Sequence, residues 1–196
     1  GLVLTKIVGL EEGFIIEVNC ETDFVAKSDD FIKFANKILE ATELLLPTSF
    51  EDLLAKDPSL QISLDELIGK VGEKIVVSRV AVVKADNGIL VDYIHPGSKL
   101  GVIVRFDFLP KEKAEEFLPL AKDIAMQVAA MKPVSVYSNE VPKDVIEKEI
   151  DIYKEIARKE GKPENILEKI ATGKLGKFYQ ENCLAEQAYI KDNSKS

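Results

Sequence analysis

The residues best suited to recognition chemistry stand together in the segment Thr22-Asp23-Phe24, just after an apolar, strand-like stretch. A turn is expected there, and an acid beside a large aromatic residue can serve two purposes. The hydroxyl or carboxylate can cap the next helix while Phe24 folds back as a hydrophobic staple. Alternatively, Phe24 can enter a partner protein, since aromatic anchors carry much of the energy of an interface. The segment by itself leaves both interpretations open.

The other chemically capable side chains do not form a catalytic set. The single histidine, His95, lies just before the predicted turn Pro96-Gly97, where a solvated side chain is the ordinary outcome. Cys20 and Cys183 have neither C-x-x-C spacing nor a nearby histidine, which favours two structural thiols, although a disulfide within or between chains stays open. A thiol enzyme built on Cys20 is disfavoured because no neighbouring base would sustain a thiolate.

Signatures of nucleotide and metal binding are also missing from the sequence. Residues 173–177 are rich in glycine and lysine, but they lack the spacing of a phosphate-binding loop and follow no predicted strand. They fit better as the end of a helix, where the helix dipole favours cations. We therefore expect no cofactor, no metal ion, no covalent chemistry and no direct binding of nucleotide.

Composition limits the class of protein and its partners. The chain has 196 residues, of which 46% are hydrophobic and 31% charged, so it can bury a core as one large domain or two small ones. A formal net charge of -8 opposes binding to a nucleic-acid backbone and favours a protein partner recognised by shape. No apolar stretch of the sequence is as long as the about 18 residues that a membrane-spanning helix needs. We expect no membrane association and a cytoplasmic location, or an organelle matrix for an organellar form.

The elements around Thr22-Asp23-Phe24 follow from the hydrophobic pattern. Strands at residues 2–8 and 14–18 form a predicted hairpin that ends just before the segment. The helix that follows can be capped by Asp29 or Asp30. Helical spacing predicts that its buried face consists of Phe31, Phe34, Ala35, Ile38, Leu39 and Thr42.

Cap and turn residues predict the elements up to the middle of the chain. Ser49 caps a short helix, and a capping box of Ser63 and Glu66 starts another helix, which Gly72 ends. The strands that follow are predicted at residues 74–85, 89–94 and 100–106, with a hairpin turn at Asp86-Asn87-Gly88 and another turn at Pro96-Gly97.

The chain then repeats itself weakly but in a consistent order. The hairpin that begins at Gly1 resembles a second one that begins at Gly88, and a helix follows each. The second hairpin is not followed by Thr-Asp-Phe, so such a unit does not need this motif to fold. That difference favours the interpretation in which Phe24 binds a partner.

The rest of the chain is predicted to be mainly helical. One helix spans residues 111–131, and Pro142 suits the first position of the next. Apolar residues recur at spacings of three and four on both sides of a break at residues 161–163, which predicts an antiparallel helical hairpin with a narrow seam. Residues 184–190 are predicted to be extended.

Together these elements predict an α+β fold with two related subdomains, each an antiparallel sheet with a helix, and a protruding antiparallel helical hairpin or coiled coil. The predicted division assigns residues 1–86 to the first core subdomain, residues 87–136 and 184–196 to the second, and residues 137–183 to the hairpin.

The sequence resembles the elongation factor Ts family along nearly its whole length. The resemblance is carried, in the family's order, by residues 17–27, 68–75, 93–95, 101–104, 124–130, 147–149 and 161–163. It implies a guanine-nucleotide exchange factor that binds elongation factor Tu, promotes GDP release and so regenerates the GTP-bound form. The family's small N-terminal helical module is expected before Gly1, and more helix and strand after the final segment.

The resemblance also implies which residues meet the partner. In the family, the Asp and Phe of the motif contact the G domain of elongation factor Tu and shift a helix beside the nucleotide site, which disturbs the magnesium ion and the phosphate-loop contacts. The alternative is a binding or scaffold module that leaves nucleotide release unchanged. The expected contact residues are Thr22, Asp23, Phe24, Val25, Val71, Gly72 and His95. At the position of Val71 an isoleucine is common in the family.

Overall fold

The computed structural model describes residues 1–192, 194 and 195, and it contains both strands and helices. The α+β class predicted from the sequence is therefore confirmed. The chain divides into two compact units, Gly1–Ala129 and Ala130–Ser196. The finer three-part division stays a prediction, and two residues of its last segment, Asn193 and Ser196, lie outside the described residues.

Three antiparallel strands form the first sheet: β1 at Leu2–Val8, β2 at Glu12–Asn19 and β3 at Val76–Lys84. The predicted first hairpin is confirmed, and β2 lies between the two other strands. Alternate side chains of β2 are buried, as expected for a strand with one face on a core. Because β2 ends at Asn19, the chain leaves the sheet just before Thr22-Asp23-Phe24.

Four helices accompany this sheet: α1 at Asp23–Ala26, α2 at Asp29–Leu45, α3 at Phe50–Lys56 and α4 at Ser59–Val71. Helix α2 buries all six side chains predicted for its apolar face. Five of them, all except Thr42, pack with the inward side chains of β2 and with leucines of α3 and α4 in one hydrophobic cluster. Full burial of one such side chain contributes about 1.5–3 kcal/mol, so this cluster anchors the loops at its edge.

The helix caps of this unit correct two predictions. Helix α2 is capped by Ser28, whose hydroxyl accepts the backbone N–H of Phe31, whereas Asp29 and Asp30 occupy the first turn. Acidic side chains are favoured there by the helix dipole, so their position is still helpful. The predicted capping box at Ser63 is wrong, because α4 begins one turn earlier and the Ser63 hydroxyl donates to a carbonyl inside the helix. The predicted cap at Ser49 is confirmed.

The second sheet has two antiparallel strands, β4 at Gly88–Ile94 and β5 at Gly101–Asp107, and helix α5 follows at Ala114–Met131. The predicted hairpin turn at Asp86-Asn87-Gly88 is wrong. Strand β3 pairs with β2, and β4 pairs with β5, so this segment links two sheets. Gly88 is required by a close approach, since a Cβ atom there would lie 1.8 Å from the carbonyl oxygen of Phe106.

Both copies of the predicted repeat have the same order of elements. The β1–β2 hairpin precedes α2, and the β4–β5 hairpin precedes α5. Ala35 and Ala121 are fully buried at corresponding places in the two helices, one turn after Phe31 and Phe117. The small alanine side chain allows close packing against the sheet, and each phenylalanine adds apolar area beside it.

The second unit contains two long helices, α6 at Lys143–Lys159 and α7 at Glu164–Asn182. Lys154 pairs with Glu168, and Arg158 pairs with Glu164, so the two helices run antiparallel. The apolar side chains with the spacing predicted for their seam are buried or half-buried: Ile146, Ile150, Tyr153, Ala157, Leu167, Ile170, Ala171, Leu175 and Phe178. The coiled-coil geometry and the protrusion of this hairpin stay predictions.

Two details predicted for this unit are wrong. Pro142 precedes α6 with a ψ of 138°, and the helix begins at the next residue. Residues 184–190 are not an extended strand, because the backbone N–H groups of Glu186 and Gln187 both donate to the carbonyl of Cys183. The last carbonyls of a helix lack partners within the helix, and the Gln187 side chain in this turn donates to one of them, the Glu181 carbonyl of α7. In the part of the chain that the structure describes, no helix combines the length and hydropathy needed to cross a membrane.

Candidate partner-binding site

Thr22 caps the short helix α1 and so sets the conformation of the candidate site. Its backbone is extended, and its Oγ1 accepts the backbone N–H of Val25 at 3.3 Å. Thr22 thus satisfies one of the N–H groups that have no partner at the start of a helix. The capping role foreseen for this segment is confirmed.

Phe24 does not fold back onto the protein, because its surface is 91% exposed. The interpretation of this side chain as a hydrophobic staple is therefore wrong. Val25 and Ala26 pack on the core of the first unit, and adjacent side chains on a helix point about 100° apart. Anchoring these two residues accounts for the outward direction of the Phe24 ring.

A carboxylate from a distant part of the sequence binds the start of this segment. One oxygen of Glu73, Oε2, accepts the backbone N–H groups of Glu21 at 3.2 Å and of Thr22 at 3.0 Å. The other, Oε1, accepts the Thr22 hydroxyl at 2.6 Å. Three donors of the loop thus converge on one side chain, and hydrogen bonds to an ionised acceptor are stronger than neutral ones.

Val71 and Gly72 lie beside the segment because Glu73 directly follows them in the chain. Gly72 ends α4 in a left-handed conformation with a φ of 71°, and its N–H donates to the carbonyl of Ile68. Only glycine adopts such a φ without a steric penalty. Val71 is half-buried against the core, whereas Gly72 is exposed. The sequence prediction that Gly72 ends the helix is confirmed.

Asp23 connects the segment to the loop between β4 and β5. Its carboxylate accepts a hydrogen bond from the Lys99 ammonium at 2.8 Å, and both side chains are 65% exposed. The bond from Lys99 and the charge of its ammonium hold the pKa of Asp23 below its ordinary value of 3.8. The same loop is tied to β1, since the Ser98 carbonyl accepts the Val3 N–H at 2.7 Å.

His95 begins this loop and is exposed. Its Nδ1 lies 3.1 Å from the Tyr93 hydroxyl, and its backbone N–H donates to the Leu100 carbonyl. Because His95 and Lys99 belong to one closed loop, the Asp23–Lys99 pair connects His95 to the Thr22-Asp23-Phe24 segment. All seven residues predicted for the site therefore lie on elements that are joined by named hydrogen bonds within the first unit.

Glu73 and Lys99 are the two contacts that sequence reasoning missed. Neither has a local signal, because their partners lie 51 and 76 positions away. The position of Glu73 directly after a helix-ending glycine is the feature that could have drawn attention to it. The hydrogen bonds of Glu73 and Lys99 hold the segment that exposes the Phe24 ring and the Asp23 carboxylate.

The thiols near and far from this loop have different surroundings. The half-buried Cys20 donates its S–H to the Thr22 carbonyl at 3.2 Å, while Cys183 is fully buried, and both are free cysteines in this chain. In the described residues, no group of three or more histidine, cysteine or acidic side chains is placed to hold a metal ion. The fold and the site thus define an α+β protein that contains two hairpin–helix repeats and presents an acidic–aromatic segment to solvent.

Comparison with known proteins identifies the family. The sequence model described as Elongation factor TS matches residues 21–196. Elongation factor Ts of Chloroherpeton thalassium is 42% identical, over 94% of this chain and 65% of that protein. The corresponding values are 43%, 99% and 69% for elongation factor Ts of Chlorobium phaeobacteroides, and 40%, 100% and 66% for that of Clostridium botulinum strain Alaska E43. The chain belongs to the elongation factor Ts family, and it spans about two thirds of the length of these relatives.

Proposed function

We propose that this chain is a guanine-nucleotide exchange factor that binds elongation factor Tu and promotes the release of GDP, so that the GTP-bound form is regenerated during translation elongation. Family membership supports this function. The observation that carries it is the exposure of Phe24 on the short helix α1. The start of this helix is held by the hydrogen bonds of Thr22 to Glu73 and of Lys99 to Asp23.

The contact surface that we propose comprises the residues gathered around this loop. Phe24 enters an apolar pocket of the G domain, and Asp23 lies beside it as a charged neighbour. Their insertion shifts a helix next to the nucleotide site and weakens the contacts to the magnesium ion and the phosphates. The other members of the proposed surface are Thr22, Val25, Val71, Gly72 and His95.

The energetics require several contacts to act together. An exchange factor binds the nucleotide-free partner better than the nucleotide-bound one, and by linkage the returning nucleotide expels the factor to the same degree. A 10⁴-fold acceleration of release, taken as a typical size, requires the barrier to fall by about 5.5 kcal/mol. Burial of one phenylalanine side chain contributes about 1.5–3 kcal/mol. Phe24 therefore needs the rest of the surface, and the helical hairpin formed by α6 and α7 is a second proposed contact region.

A stopped-flow measurement with fluorescent GDP bound to elongation factor Tu tests this function. Mixing with excess chain and unlabelled GDP is expected to accelerate the loss of fluorescence by orders of magnitude over the spontaneous rate. A direct measurement of binding between the chain and elongation factor Tu then distinguishes an exchange factor from a scaffold module. Binding without any change in the GDP release rate would identify a scaffold module and refute the exchange function.

A further inference from the structure

We propose that Glu73 is a positioning residue for Phe24, a role that rests on the proposed exchange function. Glu73 does not touch the partner in this proposal. Its carboxylate binds the loop that precedes α1 through the N–H groups of Glu21 and Thr22 and through the Thr22 hydroxyl. It thereby presents Phe24 in a single orientation before any partner is bound.

Helix α1 needs such support because it is too short to hold itself. It has only four residues, and isolated helices shorter than about 12 residues are marginal in water. The Phe24 ring is 91% exposed, so it contributes almost no packing that would fix its own direction. The direction of the ring depends on Val25 and Ala26 below it and on the bonds made by Thr22 in front of it.

Glu73 connects these bonds into one chain. The Thr22 Oγ1 donates to Glu73 and accepts from the Val25 N–H, so the carboxylate orients the hydroxyl that caps the helix. Glu73 directly follows Gly72, whose left-handed conformation turns the chain at the end of α4. Loss of the carboxylate therefore loosens the loop without removing any apolar contact of the core.

The chemistry of the site explains why a carboxylate is needed. Three donors converge there, and two oxygens are required to accept all three. A glutamine keeps one oxygen for the two backbone N–H groups, and an alanine keeps none. The series Glu, Gln, Ala at position 73 is expected to loosen the loop in that order.

Loss of pre-organisation has a kinetic signature that differs from loss of the anchor itself. A loosened loop must be ordered on binding, which weakens the encounter but leaves Phe24 able to act once it is seated. We expect Glu73→Ala to raise the half-saturating concentration of the chain in the GDP release assay about tenfold, equivalent to 1.4 kcal/mol. The maximal rate is expected to stay within about twofold. Glu73→Gln is expected to give an intermediate half-saturating concentration.

The control variant is Glu66→Ala, which removes an exposed glutamate of α4 that makes none of these three bonds. It is expected to match the unmutated chain. Hydrogen exchange followed by NMR gives a readout that does not involve the partner, and the amides of Glu21 and Thr22 are expected to exchange faster in Glu73→Ala. Thermal unfolding is measured in parallel, and Glu73→Gln carries the test if the alanine variant does not fold.

The outcomes separate the two proposals. If the unmutated chain does not accelerate GDP release, the exchange function fails and the positioning role fails with it. If the unmutated chain is active and Glu73→Ala has the same half-saturating concentration, only the positioning role is overturned. The role is also overturned if the amides of Glu21 and Thr22 keep their protection, or if Glu66→Ala has an effect as large as that of Glu73→Ala.

Discussion

The substitution Phe24→Ala gives the sharpest separation between a structural and a functional role for this side chain. Because the ring is 91% exposed, its removal is expected to change the free energy of unfolding by less than about 0.5 kcal/mol, as for other surface substitutions. By contrast, Phe31 is fully buried in the core of the same unit, and its truncation to alanine is expected to cost about 3–5 kcal/mol.

The functional effect follows from the same exposure. Full burial of a phenylalanine side chain contributes about 1.5–3 kcal/mol. Because the Phe24 ring is almost fully exposed, nearly all of this free energy can be gained when the ring is buried in a partner. If that free energy is realised as GDP leaves elongation factor Tu, its loss slows stimulated release by about 10- to 150-fold. The maximal rate is the quantity that should fall, because the anchor acts after the complex has formed.

The assay is stopped-flow release of fluorescent GDP at saturating chain, with thermal unfolding of each variant as a check on folding. Phe108→Ala is the matched control, since Phe108 is 88% exposed and lies in the same unit, directly after β5. The control is expected to behave like the unmutated chain. An unchanged maximal rate in Phe24→Ala, or an equal loss in both variants, would refute the role assigned to Phe24.

Three further predictions test the surroundings of the site. Lys99→Ala is expected to raise the pKa of Asp23 towards 3.8, as measured by NMR titration. Because the pKa of Asp23 is lowered in the folded protein, the stabilisation by the Asp23–Lys99 pair is present above pH 3.8 and is lost as the pH falls through the folded pKa. This stabilisation should be absent at every pH in the variant. Gly88→Ala is expected to lower the free energy of unfolding by about 3 kcal/mol or more, because its Cβ would lie 1.8 Å from the Phe106 carbonyl oxygen. The measurement is urea denaturation. A loss below about 1 kcal/mol would show that β4 can move away from Phe106 at little cost. Ser28→Ala is expected to cost about 1 kcal/mol in the same measurement, as for other lost helix caps, and an unchanged stability would mean that the cap is dispensable.

Local patterns predicted most of the elements but failed where tertiary packing or pairing of distant strands overrode a local signal. The apolar face of α2 was predicted in full because helical spacing and burial agree. The start of α4 was misplaced because Ser63 and Glu66 match a capping box, although packing of Leu60 on the core extends the helix by a turn. The residues Asp86-Asn87-Gly88 match a hairpin turn, but β3 pairs with the distant strand β2, so this segment links two sheets.

The sequence by itself determined the α+β class, the order of the elements and the resemblance to one family, because these depend on periodicity, turn residues and motifs that are local along the chain. It also singled out Thr22-Asp23-Phe24, yet it left the direction of the Phe24 ring open. Only the tertiary structure decided that question, since it depends on which residues pack beneath α1 and on bonds from Glu73 and Lys99, which lie 51 and 76 positions away. Contacts over such separations are set by the folding of the sheets and not by any pattern within a short window of sequence.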